Sequence, residues 1–237
     1  SSAASDVYKR QDLLGIMGAN ALGKTTMMKM IAGVEKPDSG SVDKKIKISY
    51  KPQYLTNDVD MEVIDMLERA NGGSIVDTTE EEQIIEPLRI KKLYIKSMKY
   101  LSGGELHKVA VATCLLKKVD LYALDEPSAF LDVEDRIAVG KFLQKFCRSF
   151  GKSAIVIDHD LQLMDLVSDS MVIFEGVSSV EGYATSPLPK IDAMNRFLKS
   201  LEITFRRDEK SRRPRVNKDG SRLDKDQKDN QNYYYKK

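Results

Sequence analysis

The stretch that most limits what this chain can become is Leu13 to Gly33. An apolar run of Leu13, Leu14, Ile16 and Met17 ends in Gly18-Ala19-Asn20-Ala21-Leu22-Gly23-Lys24-Thr25-Thr26, after which Met27, Met28 and Ile31 recur at helical spacing. The order reads strand, glycine loop, helix, with Gly33 as the stop. The loop satisfies G-x-x-x-x-G-K-[ST], a pattern whose parts each carry chemistry. Gly18 and Gly23 let main-chain N–H groups close on phosphate oxygens, with Asn20 and Thr26 in the same cradle. Lys24 reaches the β- and γ-phosphates, and the Thr25 hydroxyl suits Mg²⁺. A helix starting near Lys24 turns the positive end of its dipole toward the same anion.

Composition excludes several classes. At 237 residues the chain supports one sizeable core, or one core plus a smaller subdomain. With 41% apolar and 31% charged residues it reads as an ordinary soluble globular protein, and no apolar run approaches the ~18 residues a membrane span needs. Cys114 and Cys147 lie far apart in helical stretches, which argues against a disulfide framework or a cysteine-ligated metal and for a reducing, cytoplasmic home. The net charge of +2 is unevenly spread: residues 202–237 hold 12 Lys+Arg against 7 Asp+Glu.

Downstream, Pro37-Asp38-Ser39-Gly40 is a turn and Ile46 to Tyr50 alternates as a half-buried strand that delivers Gln53 at its end. A polar residue there faces the phosphates if the sheet is of the open α/β type, and is a solvated loop glutamine otherwise. From about Asn57 to Lys118 the pattern is helical: Val63, Met66, Leu67 and Ala70 share a face, and Thr79-Glu80-Glu81-Glu82 has the form of a capping box. Leu101-Ser102-Gly103-Gly104-Glu105 then opens a helix. That turn offers free N–H groups to an anion, or is a plain serine cap. Val119 to Leu124 is a buried strand ending in Asp125-Glu126-Pro127. Adjacent strand residues point opposite ways, so Asp125 suits metal-bound water and Glu126 a general base. The strand Ala154 to Ile157 ends in Asp158-His159-Asp160, where His159 can reach a γ-phosphate or the attacking water, or be a surface histidine. Met171 to Phe174 and a Glu175-Gly176 turn close the sheet. Met194, Phe197, Leu198 and Leu201 form a last amphipathic helix, beyond which composition alone predicts a disordered basic tail.

The phosphate loop, Gln53, Leu-Ser-Gly-Gly-Glu, the acids Asp125-Glu126 and His159 fall in an order that resembles the ATP-binding cassette (ABC) nucleotide-binding domain, over about Leu13 to Gly176. The signature serine stands only 23 positions before Asp125. The resemblance implies a P-loop α/β fold with a mainly parallel sheet and an inserted helical subdomain. It makes Gln53 the Q-loop residue, catalytic and Mg²⁺-facing, Ser128 to Asp132 the D-loop and His159 the switch histidine. Ser102, Gly103 and Gly104 would bind the phosphate of a site on another cassette. Ala19 stands where proline is usual and His107 where glutamine is usual; neither removes a phosphate-contacting group.

Tyr50-Lys51-Pro52-Gln53-Tyr54, Asp125 to Asp132 and Asp158-His159-Asp160 narrow the likeness to the second cassette of the ABC-E ribosome-recycling ATPases, the RNase L inhibitor family. So do Met194 to Lys199, Ile203 to Asp208, Arg213 to Lys218, Gly220 to Asp224 and Tyr233-Tyr234-Tyr235, which are similar to its C-terminal hinge region. The implied organisation is residues 1–11 as an assembly scar, 12–178 as the ATPase domain (12–56 and 119–178 the P-loop core, 57–118 the helical subdomain) and 179–237 as hinge or tail, docked over much of 190–225 through Ile203, Phe205, Val216 and Leu223. The implied ligands are ATP and Mg²⁺. The implied partners are a second ABC domain upstream, a ribosomal subunit and recycling or termination factors, with no direct membrane contact. The resemblance makes the chain a fragment whose family has its first strands, adenine-stacking aromatic, first cassette and iron–sulfur cysteines upstream. A transporter ATPase subunit would share the five motifs without a reason for the Arg-rich, Tyr-Tyr-Tyr ending. A repair or chromosome-maintenance ATPase would carry a long coiled coil between Gln53 and Ser102, where only about fifty residues without heptads stand.

Overall fold

The computed structural model describes residues 13–18, 23–34, 36–41, 46–53, 55–177 and 181–235, with the main chain alone at Val177 and Glu181. The expectations for residues 1–11, Ala19, Asn20 and Tyr54 lie outside these. Five strands build the centre: β1 (Leu13–Gly18), β2 (Ile48–Lys51), β3 (Leu121–Asp125), β4 (Ser153–Ile157) and β5 (Ser170–Val177). β1 lies between β4 and β5, and β3 between β2 and β4, all parallel. β6 (Glu181–Ala184) and β7 (Leu188–Pro189) add antiparallel to β5. Every residue of β1, β3 and β4 is buried, as expected where helices cover both faces of a parallel sheet.

Alternation along the strands splits the apolar interior. Leu14, Ile16, Leu121, Ala123, Ile155 and Ile157 pack with Met28 of α1 (Lys24–Ile31) on one face. Leu13, Met17, Tyr122, Leu124, Ala154 and Val156 join the larger cluster on the other. That cluster takes in α2 (Val63–Asn71), α3 (Gly103–Leu116), α4 (Val133–Phe150), α5 (Leu161–Val167) and α6 (Lys190–Ser200). Cys114 and Cys147 are buried on α3 and α4.

Several local expectations are corrected. The second strand is Ile48–Lys51, a shift that places Lys51 in the ladder. The cap before Ile84 uses Thr78, whose hydroxyl accepts from Glu81 N at 3.3 Å while the Glu81 carboxylate accepts from Asp77 N at 2.9 Å; the segment it opens is π-wound over Glu81–Ile85. Glu175 and Gly176 do not turn: they continue β5, paired with Tyr183 and Gly182 of β6.

The tail is folded, against the compositional reading and in line with the resemblance. A hairpin of β8 (Phe205–Arg207) and β9 (Pro214–Val216) precedes α7 (Arg222–Asp229), and Tyr233 and Tyr234 are buried in the main cluster. Of the four expected anchors Phe205 is buried and Ile203 packs on the cluster, but Val216 and Leu223 are 53% and 44% exposed. Buried polar side chains do much of their work. Thr204 donates to Asp224 at 2.6 Å, Asn217 donates to Gln227 at 2.6 Å and to Thr204 at 2.9 Å, and Gln227 donates to the carbonyls of Phe205 and Asn232 at 2.9 Å each. A second polar knot ties the tail to α5: Tyr234 OH donates to Asp165, and Arg207 donates to the Tyr234 oxygen at 2.6 Å and to Asp165 at 3.3 Å. Gln162 adds a bond to the Pro214 carbonyl at 3.0 Å.

Candidate functional site

The strand order β2, β3, β4, β1 sets four carboxyl ends side by side, and the motif residues hang from them. Gly18 closes β1 with φ +154°, and a Cβ there would lie 2.6 Å from Phe174 Cβ and O, so the start of the loop has room only for glycine. α1 follows from Gly23 with no side-chain cap and no acidic residue in its first turn. Every other described helix of eight residues or more carries an acid there: Asp65, Glu105, Glu134, Asp192 or Asp224. A helix start stripped of internal anions is suited to an external one.

Lys24 is buried at that start and its ammonium donates to the Gly18 carbonyl. Burial lowers its pKa, opposed by Glu126 and then Asp125. The Thr25 hydroxyl donates to Gln53 Oε1 at 3.4 Å, and Gln53 Nε2 donates to Glu126 Oε1 at 2.8 Å. His159 Nε2 lies 2.6 Å from the same oxygen. Glu126 leaves β3 in the left-handed region, φ +51°, with its N–H bonded to the Ile157 carbonyl at 2.7 Å. The Asp125 side chain is fully buried, with no partner in hydrogen-bond geometry at either oxygen. Burial raises the Asp125 pKa, with the nearby Thr25 hydroxyl pulling the other way and Glu126 adding to the rise.

The ABC transporter family matches residues 5–129 of this chain. The translation initiation factor RLI1 of Saccharomyces cerevisiae is 37% identical over 228 residues, 96% of this chain and 38% of that protein, so the chain spans well under half the length of such a relative. ABC transporter E family member 3 of Arabidopsis thaliana is 36% identical over 159 residues, 65% of this chain and 88% of that protein. The chain belongs to the ABC-E family. A solved assembly described as ribosome-bound archaeal Pelota and ABCE1 contains a chain that superposes with a TM-score of 0.90 at 43% identity, covering 95% of this chain and 38% of that one.

In this ABC-E cassette Gly18, Gly23, Lys24, Thr25, Gln53, Asp125, Glu126 and His159 come together at one end of the sheet, with Thr26 exposed on α1. Ser102, Gly103 and Gly104 do not join them. They line a separate cleft with Arg89, Lys108 and Phe130 that includes none of those residues. There Ser102 and Glu105 cap each other reciprocally at 3.2 and 2.9 Å, and the Phe130 ring covers Gly103 so closely that a Cβ would meet it at 3.1 Å. The plain serine cap is therefore present, and the turn still opens outward.

Two ABC-E residues quoted above only for their resemblance also belong to the site. Asp158, buried at the end of β4, accepts from Ser128 N and Oγ at 3.1 and 2.8 Å and from Asp160 N at 3.0 Å, tying the D-loop to the loop that carries His159. Lys51 is 1% exposed, and its ammonium donates to the carbonyls of Asp125, Pro52 and Glu126 at 2.7, 3.0 and 3.3 Å. Burial lowers its pKa to about 8 even though Asp125 and Asp158 favour the charge. An acid after a buried apolar strand was a usable signal for Asp158; a lysine at the end of an alternating strand reads as solvated.

Proposed function

We propose that this cassette binds ATP with Mg²⁺ and hydrolyses it as one half of a two-site clamp, whose closing and opening drives ribosome splitting and recycling in the cytoplasm. In this reading 57–118 is the signature-bearing subdomain and 179–237 the hinge. The observation that carries the reading is the separation of two phosphate-binding elements on one chain. Thr25, at the head of α1, sits with Gln53, Glu126 and His159, whereas Ser102 to Gly104 open from another cleft. A single γ-phosphate can be gripped by both only if the second element comes from a second cassette.

The chain's own groups fit an in-line attack of water on the γ-phosphate. Glu126 accepts the water's proton, Gln53 and His159 hold that carboxylate in place, and Lys24 with the α1 amides neutralises phosphate charge. Asp125 offers two buried oxygens close to the Thr25 hydroxyl, which itself donates to Gln53, a donor set that fits Mg²⁺. Bound there, Mg²⁺ supplies Lewis-acid charge to the phosphates. A role in translation is supported by the relatives, a translation initiation factor and an assembly on the ribosome. No described helix is long and apolar enough to cross a membrane.

Single-turnover hydrolysis and domain association, compared for the chain alone, the chain with its partner cassette, and the partner with the Glu126→Gln chain, test this. Turnover should need both cassettes, and the Glu126→Gln pair should stay associated with ATP bound and uncleaved. Subunit dissociation, followed by light scattering, should require the wild-type pair and ATP. Robust turnover by a strictly monomeric chain overturns the two-site mechanism.

A further inference from the structure

A lysine at the end of a strand ordinarily carries its ammonium out to water along a flexible stem. Lys51 does the opposite. It is among the most deeply buried large side chains of the molecule, and its three N–H donors meet three main-chain carbonyls, those of Pro52, Asp125 and Glu126. The β2–β3 ladder runs from Ile48 opposite Leu121 to Lys51 opposite Leu124 and stops. The next two carbonyls of the β3 chain, Asp125 and Glu126, are taken up by the Lys51 side chain, which extends the strand pairing past its last main-chain rung.

The place where it does so is chemically specific. Glu126 holds φ +51°, a conformation that side chains other than glycine keep only when their surroundings enforce it. Its N–H is fixed by the Ile157 carbonyl at 2.7 Å, and its carbonyl accepts from Lys51 and from the Ala129 N–H, each at 3.3 Å. Two residues after Lys51, Gln53 donates to the Glu126 carboxylate at 2.8 Å. The segment 51–53 thus grips Glu126 twice, at the main chain and at the carboxylate, and the first grip sets where the second falls.

We propose that Lys51 is a positioning residue for the hydrolytic step, holding Glu126 and Gln53 in register at the ends of β3 and β2; the proposal rests on the ATP hydrolysis argued above. It acts through those two residues and touches no reacting atom. The charge matters less than the three-way fork, because the partners are neutral carbonyls: removing the ammonium takes the side-chain donor from the buried Asp125 carbonyl and unlinks those of Pro52 and Glu126 from one another.

The test is kcat per nucleotide-binding site and ATP affinity for the reconstituted two-cassette protein carrying Lys51→Met, which keeps the stem and removes the donors. Displacing a catalytic group by ~1 Å costs on the order of a hundredfold, so kcat should fall between about tenfold and a hundredfold while ATP affinity stays within about twofold. Counting turnover per binding site removes any contribution from misfolded protein. If Lys51→Met does not fold, Lys51→Gln, whose shorter amide still donates, is read by the same two numbers. Added to Gln53→Ala, either variant should cost little more than Gln53→Ala alone, since both losses displace the same contact. A variant with wild-type kcat, a loss of affinity in place of kcat, or a loss that multiplies with that of Gln53→Ala overturns the proposal. A wild-type pair that does not hydrolyse ATP overturns the parent reading as well, which separates the two failures.

Discussion

Lys24 and His107 are both buried cationic side chains by type, and burial lowers the pKa of each, but their neighbours differ. At Lys24, at the head of α1, Glu126 and then Asp125 oppose the shift. On the proposed reading, replacing it with alanine removes the cation that spans the β- and γ-phosphates, and charge-assisted bonds of this kind contribute about 2 to 4 kcal/mol together. Titration with a fluorescent ATP analogue should therefore show Lys24→Ala weakened by at least about thirtyfold. His107 has no carboxylate. Its Nδ1 is buried without a hydrogen-bond partner, its ring packs on Phe130 at 5.4 Å, and burial, with Lys51 next, pushes its pKa from 6.5 to about 4. The folded chain keeps this imidazole neutral while the unfolded chain takes up a proton as pH falls below 6.5. Stability is therefore lost on acidification between about pH 6.5 and 4, and above that window the residue contributes no pH dependence. Urea midpoints at pH 7 and pH 5 should differ more for the wild type than for His107→Gln, by on the order of 2 kcal/mol.

At the level of elements, the tail shows how far a polar sequence can hold a fold. Gln227 accepts from Asn217 and donates to two carbonyls, so one side chain connects α7, β8, the residue that follows β9 and the chain entering Tyr233. Gln227→Ala leaves those groups buried and unmet at a cost of about 1 to 3 kcal/mol. Limited proteolysis should then cut first within 205–232, with the sheet and its helices still resistant. This network was illegible in the sequence because composition cannot tell polar side chains bonded to one another from solvated ones. Strands β1, β3 and β4 were legible for the converse reason: strands buried on both faces spell themselves as apolar runs, and each motif residue at their ends stands just past such a run. Glu175-Gly176 was misread because a glycine within a paired strand looks like a turn until its antiparallel partner β6 is seen. Lys51 is silent in the sequence for a similar reason, since two of its three carbonyl partners lie more than seventy positions away and carry no side-chain signature.

Across the whole molecule the larger apolar cluster runs from Leu13 to Tyr234, so the C-terminal elements share a core with the sheet that carries the site. Ala193, Met194, Leu198, Phe205, Tyr233 and Tyr234 are all buried members of it. A chain ended after Thr185 would uncover the other side of each of those contacts. Its thermal midpoint should drop by several degrees or more and it should bind a hydrophobic dye, measured by differential scanning fluorimetry. The knot of Asp165, Arg207 and Tyr234 gives this continuity a direction. Asp165 stands on α5, whose cap is Asp160 and whose entry loop carries His159. Any displacement of that helix which carries His159 toward or away from a nucleotide must also load the knot at the far end of the chain. Were a partner at Arg207 to change nucleotide affinity through that helix, nucleotide would change the partner's affinity by the same factor. Arg207 and Tyr234 are in that sense a handle on the loop of His159, and a handle can be pulled from either end.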